Sequence, residues 1–578
     1  MNLADRTSLL EPLLDRGTRD PENLALVFVG EEGLAQRITW GRLLEEASGY
    51  GFALQEAGVA REDLVILVMD HSPELIYAFW GALLAGIVPT IFPYLTEKLD
   101  PALYRGRVHK LVEQAQARLV VTFPAFQPSL ATLLADLDCR VVSLQELESS
   151  REQPDPHGWP PPRAEQPAFV QYSSGTTGLQ KGVVLSHRAI LNNVSAIGQA
   201  VEIRGDDVVV SWLPLHHDMG LITGLMLPVL AGIPSVLLSP FQWVRDPKTL
   251  LQAIQDYRGT VSWMPNFAFN HCANSIRERD LSGLDLSRWR VLINAGEPVR
   301  LDSLRLFAGR FGPCGFRESA LGAGYGMAEI TGAVSITPIG RPPRVDWVQL
   351  RRLQEARRAE PAAAEQPGST PLVSSGRLLA GVEVRIVDPA GGLLPERQIG
   401  EILVRSNSML SGYRQRLDLT RAASREGWHA TGDLGYLAEG DLFVTGRLND
   451  LIITGGRNFF PEDLEAIASR VHGIRPGRAV AFGVEDAALG TEIIVLVCEL
   501  REEVLPADRL AVERELRRRV AQELDVTLGA IRFVEKGWVI KTPSGKVARS
   551  ANRDKFQRLT AAEAGAGAGP DASQVSRL

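Results

Sequence analysis

The sequence contains few cysteines, and their spacing fits no common cysteine site. Among 578 residues there are four, namely Cys139, Cys272, Cys314 and Cys498. They lie far apart with no CxxC pair, so the sequence predicts neither a disulfide framework nor a zinc site. A reducing compartment, and therefore a cytoplasmic location, is expected. The N-terminal residues include early acids and no uninterrupted apolar stretch, so they do not resemble a secretory signal.

A surplus of basic residues is also missing. Lys and Arg number 62 against 69 Asp and Glu, giving a formal net charge of −7. Binding to a nucleic-acid backbone usually requires a basic surplus, so no nucleic-acid partner is predicted. The sequence is 45% hydrophobic and 23% charged. That composition excludes a wholly disordered, collagenous or coiled-coil chain.

Long apolar runs occur twice, at 75–95 and 221–242, and neither contains a charge. Both are broken internally, as LLAGIVPTIF and VLAGIPSVLL. Gly86 and Gly232 can each end a helix in the left-handed conformation, and a proline-containing strand follows. The sequence therefore predicts buried helix-to-strand joints and no membrane span. Their recurrence indicates two similar α/β halves.

Short β-branched runs separated by helical windows recur through the first three hundred residues. This alternation predicts parallel sheets covered by helices, with strands at 64–69, 119–123, 208–212, 236–239, 261–264 and 291–294. Closely spaced strands at 382–406 indicate a barrel-like subdomain. The last hundred residues mix strands with a charged helix, which predicts a small α+β domain.

Three segments have the composition of linkers or loops, at 149–166, 341–368 and 561–578. The middle one falls inside a predicted domain, where a loop of that length is usually functional or mobile. The Ala/Gly-rich last one is expected to be a disordered tail.

The strongest local motif is YSSGTTGLQKG, at 172–182. Its glycines allow the backbone to turn N–H groups inward, its hydroxyls add donors and Lys181 adds charge, which suits phosphate oxygens. It is not a Walker loop, because Gln180 rather than Gly precedes the lysine. Taken alone, the string could also be a flexible Ser/Thr/Gly turn.

This loop resembles the phosphate loop of adenylate-forming enzymes, the superfamily of acyl-CoA synthetases, adenylation domains and luciferases. The superfamily's other motifs follow in order: WLPLHHDMGL, GEP, GYGMAE, TGDLG, GRLNDLI and TPSGKVAR. LPLHHDMGLITGLMLPVLAG, RVLINAGEPVR and GRNFFPEDLE resemble fatty acyl-AMP ligases in particular. The resemblance covers about 18–554. It implies an α/β adenylate-forming fold with two α/β sheet subdomains, a barrel-like subdomain and a small mobile α+β C-terminal domain.

The resemblance implies the roles of the site residues. Glu329 and Thr177 would hold Mg²⁺ at the phosphates of ATP. Lys546 would stabilise charge in the adenylation transition state, and His217 joins Lys546 and Glu329 as a catalytic residue. The residues implied in binding ATP are Ser173, Ser174, Gly175, Thr176, Thr177, Gly178, Lys181, Ala295, Gly296, Glu297, Pro298, Tyr325, Gly326, Met327, Ala328, Asp433 and Arg447.

Within this set, Tyr325 would stack on adenine, and Asp433 would accept hydrogen bonds from the ribose hydroxyls, with Arg447 beside it. The adjacent His216 and His217 do not predict a metal site, because neighbours project to different sides and no third ligand is evident. By resemblance they belong to the wall of the acyl pocket. Asp218 could equally cap the helix that follows.

Two positions depart from the family pattern. Asn449 stands at the expected hinge, where the family usually has Asp or Lys; asparagine tolerates unusual backbone angles. Bulky Trp263 and Met264 stand where small residues are common, whereas 322–324 is unusually small. We hypothesise a reshaped or shortened acyl tunnel.

The resulting expectation is an ATP- and Mg²⁺-dependent ligase that converts a fatty acid to acyl-AMP and then acylates a holo acyl carrier protein. This carrier is expected in trans, because no segment after Asp554 is long enough to form a carrier domain. The predicted domains of the ligase are 1–446 and 447–560, followed by the tail at 561–578. An insertion is predicted within the first domain at about 341–368, and the resemblance ties this insertion to use of a carrier protein rather than CoA. A plain surface insertion is the alternative for 341–368. The alternative functions are an acyl-CoA synthetase, an amide- or ester-forming ligase, and a non-catalytic carrier-binding relative.

Overall fold

The computed structural model describes residues 3, 5–30, 35–94, 101–149, 152, 154–172, 181–486, 491–542 and 545–565. Helices alternate with short strands in the first part of the chain. Its elements are α1 (Leu10–Arg19), β1 (Leu24–Val29), β2 (Ala35–Thr39), α2 (Trp40–Glu56), β3 (Leu64–Val68), α3 (Pro73–Leu84), β4 (Val88–Ile91), α4 (Pro101–Ala115), β5 (Leu119–Thr122), α5 (Gln127–Leu133), β6 (Arg140–Ser143) and α6 (Leu144–Ser149).

The same alternation continues through the middle of the chain. Its elements are β7 (Pro167–Tyr172), β8 (Gly182–Ser186), α7 (His187–Ala200), β9 (Val209–Ser211), a π-helical segment (Gly220–Met226), α8 (Leu227–Ala231), β10 (Ser235–Leu238), α9 (Pro240–Arg245), α10 (Lys248–Asp256), β11 (Val261–Met264), α11 (Asn266–Ser275), β12 (Val291–Asn294), α12 (Leu301–Phe311), β13 (Leu321–Gly326), β14 (Ala333–Ile336), β15 (Val345–Gln349), α13 (Leu350–Ala356), β16 (Ser369–Val373) and β17 (Arg377–Leu378).

Strands dominate the remainder. The elements are β18 (Val382–Val387), β19 (Gly400–Ser406), β20 (Gly412–Tyr413), α14 (Leu417–Ala423), β21 (Ser424–Arg425), β22 (Trp428–Ala438), β23 (Asp441–Arg447), β24 (Ile452–Thr454), β25 (Arg457–Phe459), α15 (Pro461–Ser469), β26 (Ile474–Asp486), β27 (Thr491–Leu500), α16 (Arg509–Leu524), β28 (Ala530–Val534) and α17 (Arg549–Gly565).

Two parallel sheets organise the first 326 residues. One has the strand order β4-β3-β5-β6. In the other, β1, β10, β9, β11, β12 and β13 run parallel, with β2 antiparallel at the edge. The six strands predicted from β-branched runs are β3, β5, β9, β10, β11 and β12. The predicted pair of α/β subdomains is therefore confirmed.

The antiparallel subdomain continues the second sheet. Beyond β13 the order is β14, β17, β23, β22, β19 and β18. The segment predicted to be hairpin-rich forms β18 and β19, which pair from Val382 opposite Ser406 to Val387 opposite Glu401. Two long strands, β22 and β23, then carry residues back toward the ends of β12 and β13. The predicted α/β fold class is thus confirmed, with the segment predicted to be barrel-like forming an antiparallel extension of the second sheet.

Both apolar runs form the predicted joints. Gly86 and Gly232 have φ of +72° and +69°, the left-handed conformation that glycine adopts without steric cost. Each follows a short helix, α3 or α8, and precedes a buried strand, β4 or β10. Within the described ranges, no helix is long and apolar enough to cross a membrane.

The segment 341–368, predicted as a loop, contains regular structure. β15 pairs along its whole length with β16, and α13 follows it directly. The prediction of a loop was wrong because it treated every charged residue of the segment as exposed, whereas Asp346 is buried. This aspartate pairs with Arg397 at 2.9 Å and accepts a 2.7 Å hydrogen bond from the Tyr436 hydroxyl. An aspartate whose charge is paired and hydrogen-bonded in this way can be buried within a strand.

The last part of the chain builds its own core. β26, β27 and β28 form a three-stranded sheet covered by α15 and α16. Leu464, Leu496 and Leu516 are fully buried at its centre. The predicted tail at 561–578 began too early, because α17 continues through Gly565; alanine is the best helix former and prolongs it. The rest of the tail, 566–578, lies outside the described residues.

Candidate active site

The candidate site lies beyond the carboxyl ends of the parallel strands β12 and β13. Open α/β sheets bind ligands at this edge, because successive loops meet there. Ala295, Gly296, Glu297 and Pro298 follow β12, whereas Tyr325 and Gly326 end β13 and Met327, Ala328 and Glu329 follow it. Gly296 has φ +85°. The left-handed conformation explains why the residue is glycine. Lack of space does not, because the nearest atom to an added Cβ would be 3.6 Å away.

β22 and β23 bring two further predicted residues to this edge. Asp433 stands opposite Arg447 in the ladder, and their Oδ1 and Nε atoms are 3.3 Å apart. The Tyr325 hydroxyl donates a 2.6 Å hydrogen bond to Asp433 Oδ2. Burial raises the pKa of Asp433 although Arg447 lowers it, and burial with the facing carboxylate raises the pKa of Tyr325. The tyrosine therefore remains a donor that orients the carboxylate.

Glu329 is held by a residue from a different sheet. The Tyr413 hydroxyl donates a 2.9 Å hydrogen bond to Glu329 Oε1, and burial and that carboxylate raise the pKa of Tyr413. Lys181 Nζ lies 5.1 Å from the centre of the Tyr413 ring. Buried His429 is also near, because the charges of Glu329 and Lys181 act on it; burial lowers its pKa.

The Glu329 carboxylate is suited to a hard cation. No described residue donates a hydrogen bond to its Oε2 atom, so one carboxylate oxygen is available as a ligand. The described part of the chain has no cluster of three or more His, Cys, Asp or Glu side chains able to hold a metal. Mg²⁺ bound by nucleotide phosphates commonly takes only one or two protein carboxylates. The residues present therefore fit Mg²⁺ brought with a nucleotide.

Lys546 reaches the same edge from the C-terminal part of the chain. Its backbone N–H donates to the Thr542 hydroxyl at 3.1 Å, and its carbonyl accepts from Thr542 N at 2.7 Å, which forms a tight turn. Burial lowers the pKa of Lys546, whereas the charges of Asp218, Glu297 and Asp433 raise it. The charges of carboxylates from three segments of the body, one of them strand β22, thus act on a lysine from the last part of the chain.

His217 and Asp218 form the third loop of the site, after β9. His217 Nδ1 lies 2.7 Å from Asp218 Oδ1, which also accepts a 2.7 Å hydrogen bond from Met219 N. Burial opposes ionisation of Asp218, yet His217 and Lys546 lower its pKa to about 2. The carboxylate is therefore a negative charge at the start of the next helical segment, and this charge acts on Lys546.

The predicted phosphate loop is described only at its ends. Ser173, Ser174, Gly175, Thr176, Thr177 and Gly178 lie outside the described residues, so their predicted roles remain predictions. The flanking strands are described: Tyr172 pairs with Gly182 across β7 and β8. A side chain at 182 would meet the Tyr172 ring at 2.8 Å, which explains the glycine.

The predicted acyl side of the site is tightly filled. Trp263 and Met264 are buried in β11. Ile293 occupies the space beside Gly322, because an added Cβ there would lie 2.4 Å from Ile293 Cδ1. The small residues at 322–324 are therefore matched by a neighbouring isoleucine.

The segment 341–368 contacts the C-terminal core. Gln354 Nε2 donates to Leu524 O at 3.2 Å, and Gln354 O accepts from Asn458 Nδ2 at 2.7 Å. Arg457 also hydrogen-bonds to the Gln354 side chain. Arg357 Nη2 donates to Asn458 Oδ1 at 2.9 Å. The segment predicted to be an insertion thus joins the body to the region that carries Lys546.

Sequence reasoning missed Tyr413 and His429. Tyr413 lies in the short strand β20, and His429 lies four residues before Asp433 in β22. Proximity to the TGDLG motif could have indicated the histidine. No sequence pattern pairs Tyr413 with Glu329, because a contact over 84 positions depends on how β20 packs against β8.

The chain is similar to proteins of a known family. Residues 13–414 match the family of AMP-binding enzymes. The chain belongs to that family. This AMP-binding enzyme is 34% identical to a medium-chain-fatty-acid–[acyl-carrier-protein] ligase of Moorena producens over 540 residues, covering 90% of each chain.

Two further similarities agree. A long-chain-fatty-acid–AMP ligase of Mycobacterium marinum is 30% identical over 597 residues, covering 97% of this AMP-binding enzyme and 99% of the relative. A solved structure from studies of fatty acyl-adenylate ligases of E. coli and L. pneumophila matches with a TM-score of 0.90 and 29% identity, covering 97% and 100% of the two chains. The AMP-binding enzyme is therefore an adenylating ligase.

Proposed function

We propose that the chain activates a fatty acid with ATP and passes the acyl group to a holo acyl carrier protein. In the first step a carboxylate oxygen attacks the α-phosphorus, acyl-AMP forms and pyrophosphate leaves. In the second step the phosphopantetheine thiolate attacks the acyl carbonyl, a thioester forms and AMP leaves. The arrangement around Asp433 carries the proposal: Tyr325 and Arg447 hold its carboxylate at the edge of the sheet, and its charge acts on Lys546 together with the charges of Asp218 and Glu297.

The side chains divide the first step between binding and charge stabilisation. Asp433, oriented by Tyr325, accepts hydrogen bonds from the ribose hydroxyls, and Arg447 lies beside the same sugar. Lys546 contacts the oxygens on which negative charge develops as the carboxylate and α-phosphate approach each other. Holding the carboxylate and the α-phosphate close together accelerates the reaction further through proximity.

Glu329 is the residue that would hold Mg²⁺, together with Thr177 of the phosphate loop. The bound ion would neutralise the phosphate charge of ATP. Tyr413 keeps one Glu329 oxygen in place through its hydrogen bond, and Lys181 adds a positive charge on the same side. The ordered carboxylate needs little reorganisation when the nucleotide arrives.

The contacts of Gln354 favour a carrier protein over free CoA as the acceptor. They connect the segment 341–368 to the C-terminal part of the chain, which must move for a thiol to replace the Lys546 turn. An enzyme restrained there depends on a partner that supplies binding energy along with its thiol. Acyl-CoA synthesis is the second candidate, and it requires that this restraint be released without a carrier.

The bulk at Trp263 supports a pocket for a shortened acyl chain. This side chain is buried in β11, and Ile293 fills the neighbouring space next to Gly322. A tunnel between them would end early. The substrate class proposed is therefore a fatty acid of less than the usual long-chain length.

The test combines a mixture of fatty acids with ATP and Mg²⁺, followed by mass spectrometry of the adenylates formed. Acyl-AMP and stoichiometric pyrophosphate are expected. Adding CoA or a holo acyl carrier protein to separate portions then identifies the acceptor. Efficient acyl-CoA formation would overturn the second step, and absence of any adenylate would overturn the first.

A further inference from the structure

An ion pair joins the body to the C-terminal part of the chain next to the site. Arg300 Nη1 lies 2.7 Å from Asp463 Oδ1, and each side chain is about one-third exposed, at 34% and 33%. Arg300 comes just after the Ala295–Pro298 loop and immediately before α12. Asp463 is in the first turn of α15. The pair therefore links a loop of the candidate site with the core that carries Lys546.

Arg300 is anchored on the body side. Its backbone N–H donates a 3.0 Å hydrogen bond to Asn266 Oδ1, which also accepts from Asn294 Nδ2 at 3.0 Å. Asn266 Nδ2 in turn donates to the Ser303 hydroxyl at 3.0 Å, and this network is buried. The base of the arginine is thus fixed to the end of β12. Such rigid support lets one ion pair determine where the partner element lies.

On the other side, α15 presents acids that are largely occupied elsewhere. Arg549 pairs with Glu462 at 3.1 Å and with Glu465 at 2.9 Å. Asp463 is the first-turn acid that turns toward the body. Asp463 is therefore the α15 carboxylate that pairs directly with Arg300, and the charges of Glu462 and Glu465 also favour the arginine there.

A second charge contact of opposite sign lies three residues earlier. Glu297 accepts a hydrogen bond from Phe267 N, and the charges of Lys546 and Lys541 both act on it. The body therefore offers a negative and a positive side chain on one short loop. The C-terminal part carries charges of opposite sign to each, namely Lys541 and Lys546 for Glu297 and Asp463 for Arg300.

We propose that Arg300 is a positioning residue which, through its ion pair with Asp463, holds the C-terminal part of the chain where Lys546 enters the site. The inference rests on the proposed function, since it assigns the pair to the adenylation step. Neither side chain is placed in contact with substrate. Loss of the pair reduces the fraction of molecules with Lys546 in the site, and leaves the binding residues of the body intact.

The decisive experiment compares the two half-reactions in Arg300→Ala, Asp463→Ala and the exchanged variant Arg300→Asp with Asp463→Arg. Each single variant is expected to lower kcat for pyrophosphate exchange about three- to tenfold, because a partly exposed ion pair contributes only modestly to stability. Little change is expected in KM for ATP, because the nucleotide-binding residues are unaltered. The exchanged variant is expected to recover at least half of the lost rate. Acyl transfer from preformed acyl-AMP to the carrier is expected to be unchanged or faster.

Arg305→Ala is the matched control. Arg305 lies in α12, just after Arg300, and pairs with Glu365 at 3.0 Å instead of with an acid of α15. It should exchange pyrophosphate like the wild type. Small-angle scattering of each ligand-free protein gives a second readout, with a larger radius of gyration expected for Arg300→Ala only.

The outcomes separate the two proposals. Wild-type rates in both single variants, or equal losses in both half-reactions without recovery on exchange, would overturn the positioning role while the proposed function stands. Absence of adenylate formation by the wild type would overturn the function itself. In that case an unchanged radius of gyration in Arg300→Ala would also reject the structural role of the pair.

Discussion

The Tyr325 hydroxyl donates a 2.6 Å hydrogen bond to Asp433 Oδ2, across 108 positions of sequence. Asp433 Oδ1 faces Arg447 at 3.3 Å. Each carboxylate oxygen therefore has a fixed partner, and the plane of the carboxylate is set before any ligand arrives. Charge-assisted hydrogen bonds of this kind are among the stronger polar contacts in proteins.

Tyr325→Phe is expected to raise KM for ATP about tenfold with little change in kcat, because a hydrogen bond to a charged group contributes about 1.5–3 kcal/mol. Pyrophosphate exchange at varied ATP measures this. Tyr436→Phe is the control, since it removes an equivalent 2.7 Å bond to Asp346 elsewhere in the chain. An equal rise in both variants would show a general loss of folding and not an effect on nucleotide binding.

Lys546→Ala is expected to slow adenylation about a hundredfold to a thousandfold, as does removal of other groups that stabilise transition-state charge. Thioester formation from added acyl-AMP should persist. Lys536→Ala, which removes an exposed lysine paired with Glu502, provides the control. Full pyrophosphate exchange by Lys546→Ala would mean that the lysine has no catalytic role.

The stability of the protein is expected to fall on acidification because of buried His187. Burial lowers its pKa to about 4, and its Nδ1 accepts a 3.3 Å hydrogen bond from Leu9 N. The unfolded state takes up a proton below about pH 6.5, whereas the folded state resists it. Protonation of His187 therefore does not affect the free energy of unfolding above about pH 6.5, and it lowers that free energy as the pH falls from 6.5 toward 4.

Urea unfolding between pH 4 and 8 measures this dependence. The free energy of unfolding should decline by up to about 1.4 kcal/mol per pH unit from this histidine below pH 6.5. His187→Gln should make the curve shallower in that range, whereas His472→Gln, at an exposed position, should not. Parallel curves for wild type and His187→Gln would contradict the assignment.

Trp263→Ala is expected to shift the preferred fatty acid toward longer chains, because the substitution opens space beside Ile293. Profiling of acyl-AMP formation over a series of chain lengths measures the shift. Trp289→Ala is the control for the cavity itself: Trp289 is equally buried but packs against Phe307 and Phe316. An unchanged profile, or a wild type with a long-chain optimum, would rule out a shortened pocket.

Gln354→Ala is expected to increase acyl-CoA formation several-fold, because it removes hydrogen bonds that join 341–368 to the C-terminal core. Gln349→Ala removes only an exposed 3.1 Å bond to Glu360 and should leave the acceptor preference unchanged. Acyl-CoA and acyl-carrier products are measured side by side. If Gln354→Ala still uses only the carrier, the restraint lies in other contacts.

Local sequence determined those features that depend on neighbouring residues. Gly86 and Gly232 predicted helix ends because only glycine adopts the left-handed conformation without cost, and both do so. The strands at 261–264 and 291–294 followed from β-branched runs between turn residues. The order of motifs then predicted the family, and through it the candidate residues on the β12 and β13 loops.

Tertiary structure alone decided the contacts between distant segments. The strand and helix within 341–368 were missed because buried Asp346 is tolerated only beside Arg397, from the turn before β19, and Tyr436, from β22. The partnership of Tyr413 with Glu329 and that of Arg300 with Asp463 likewise depend on packing between separate elements. Local propensity contains no information about which distant charge will compensate a given one, because that compensation exists only once both groups have been removed from water.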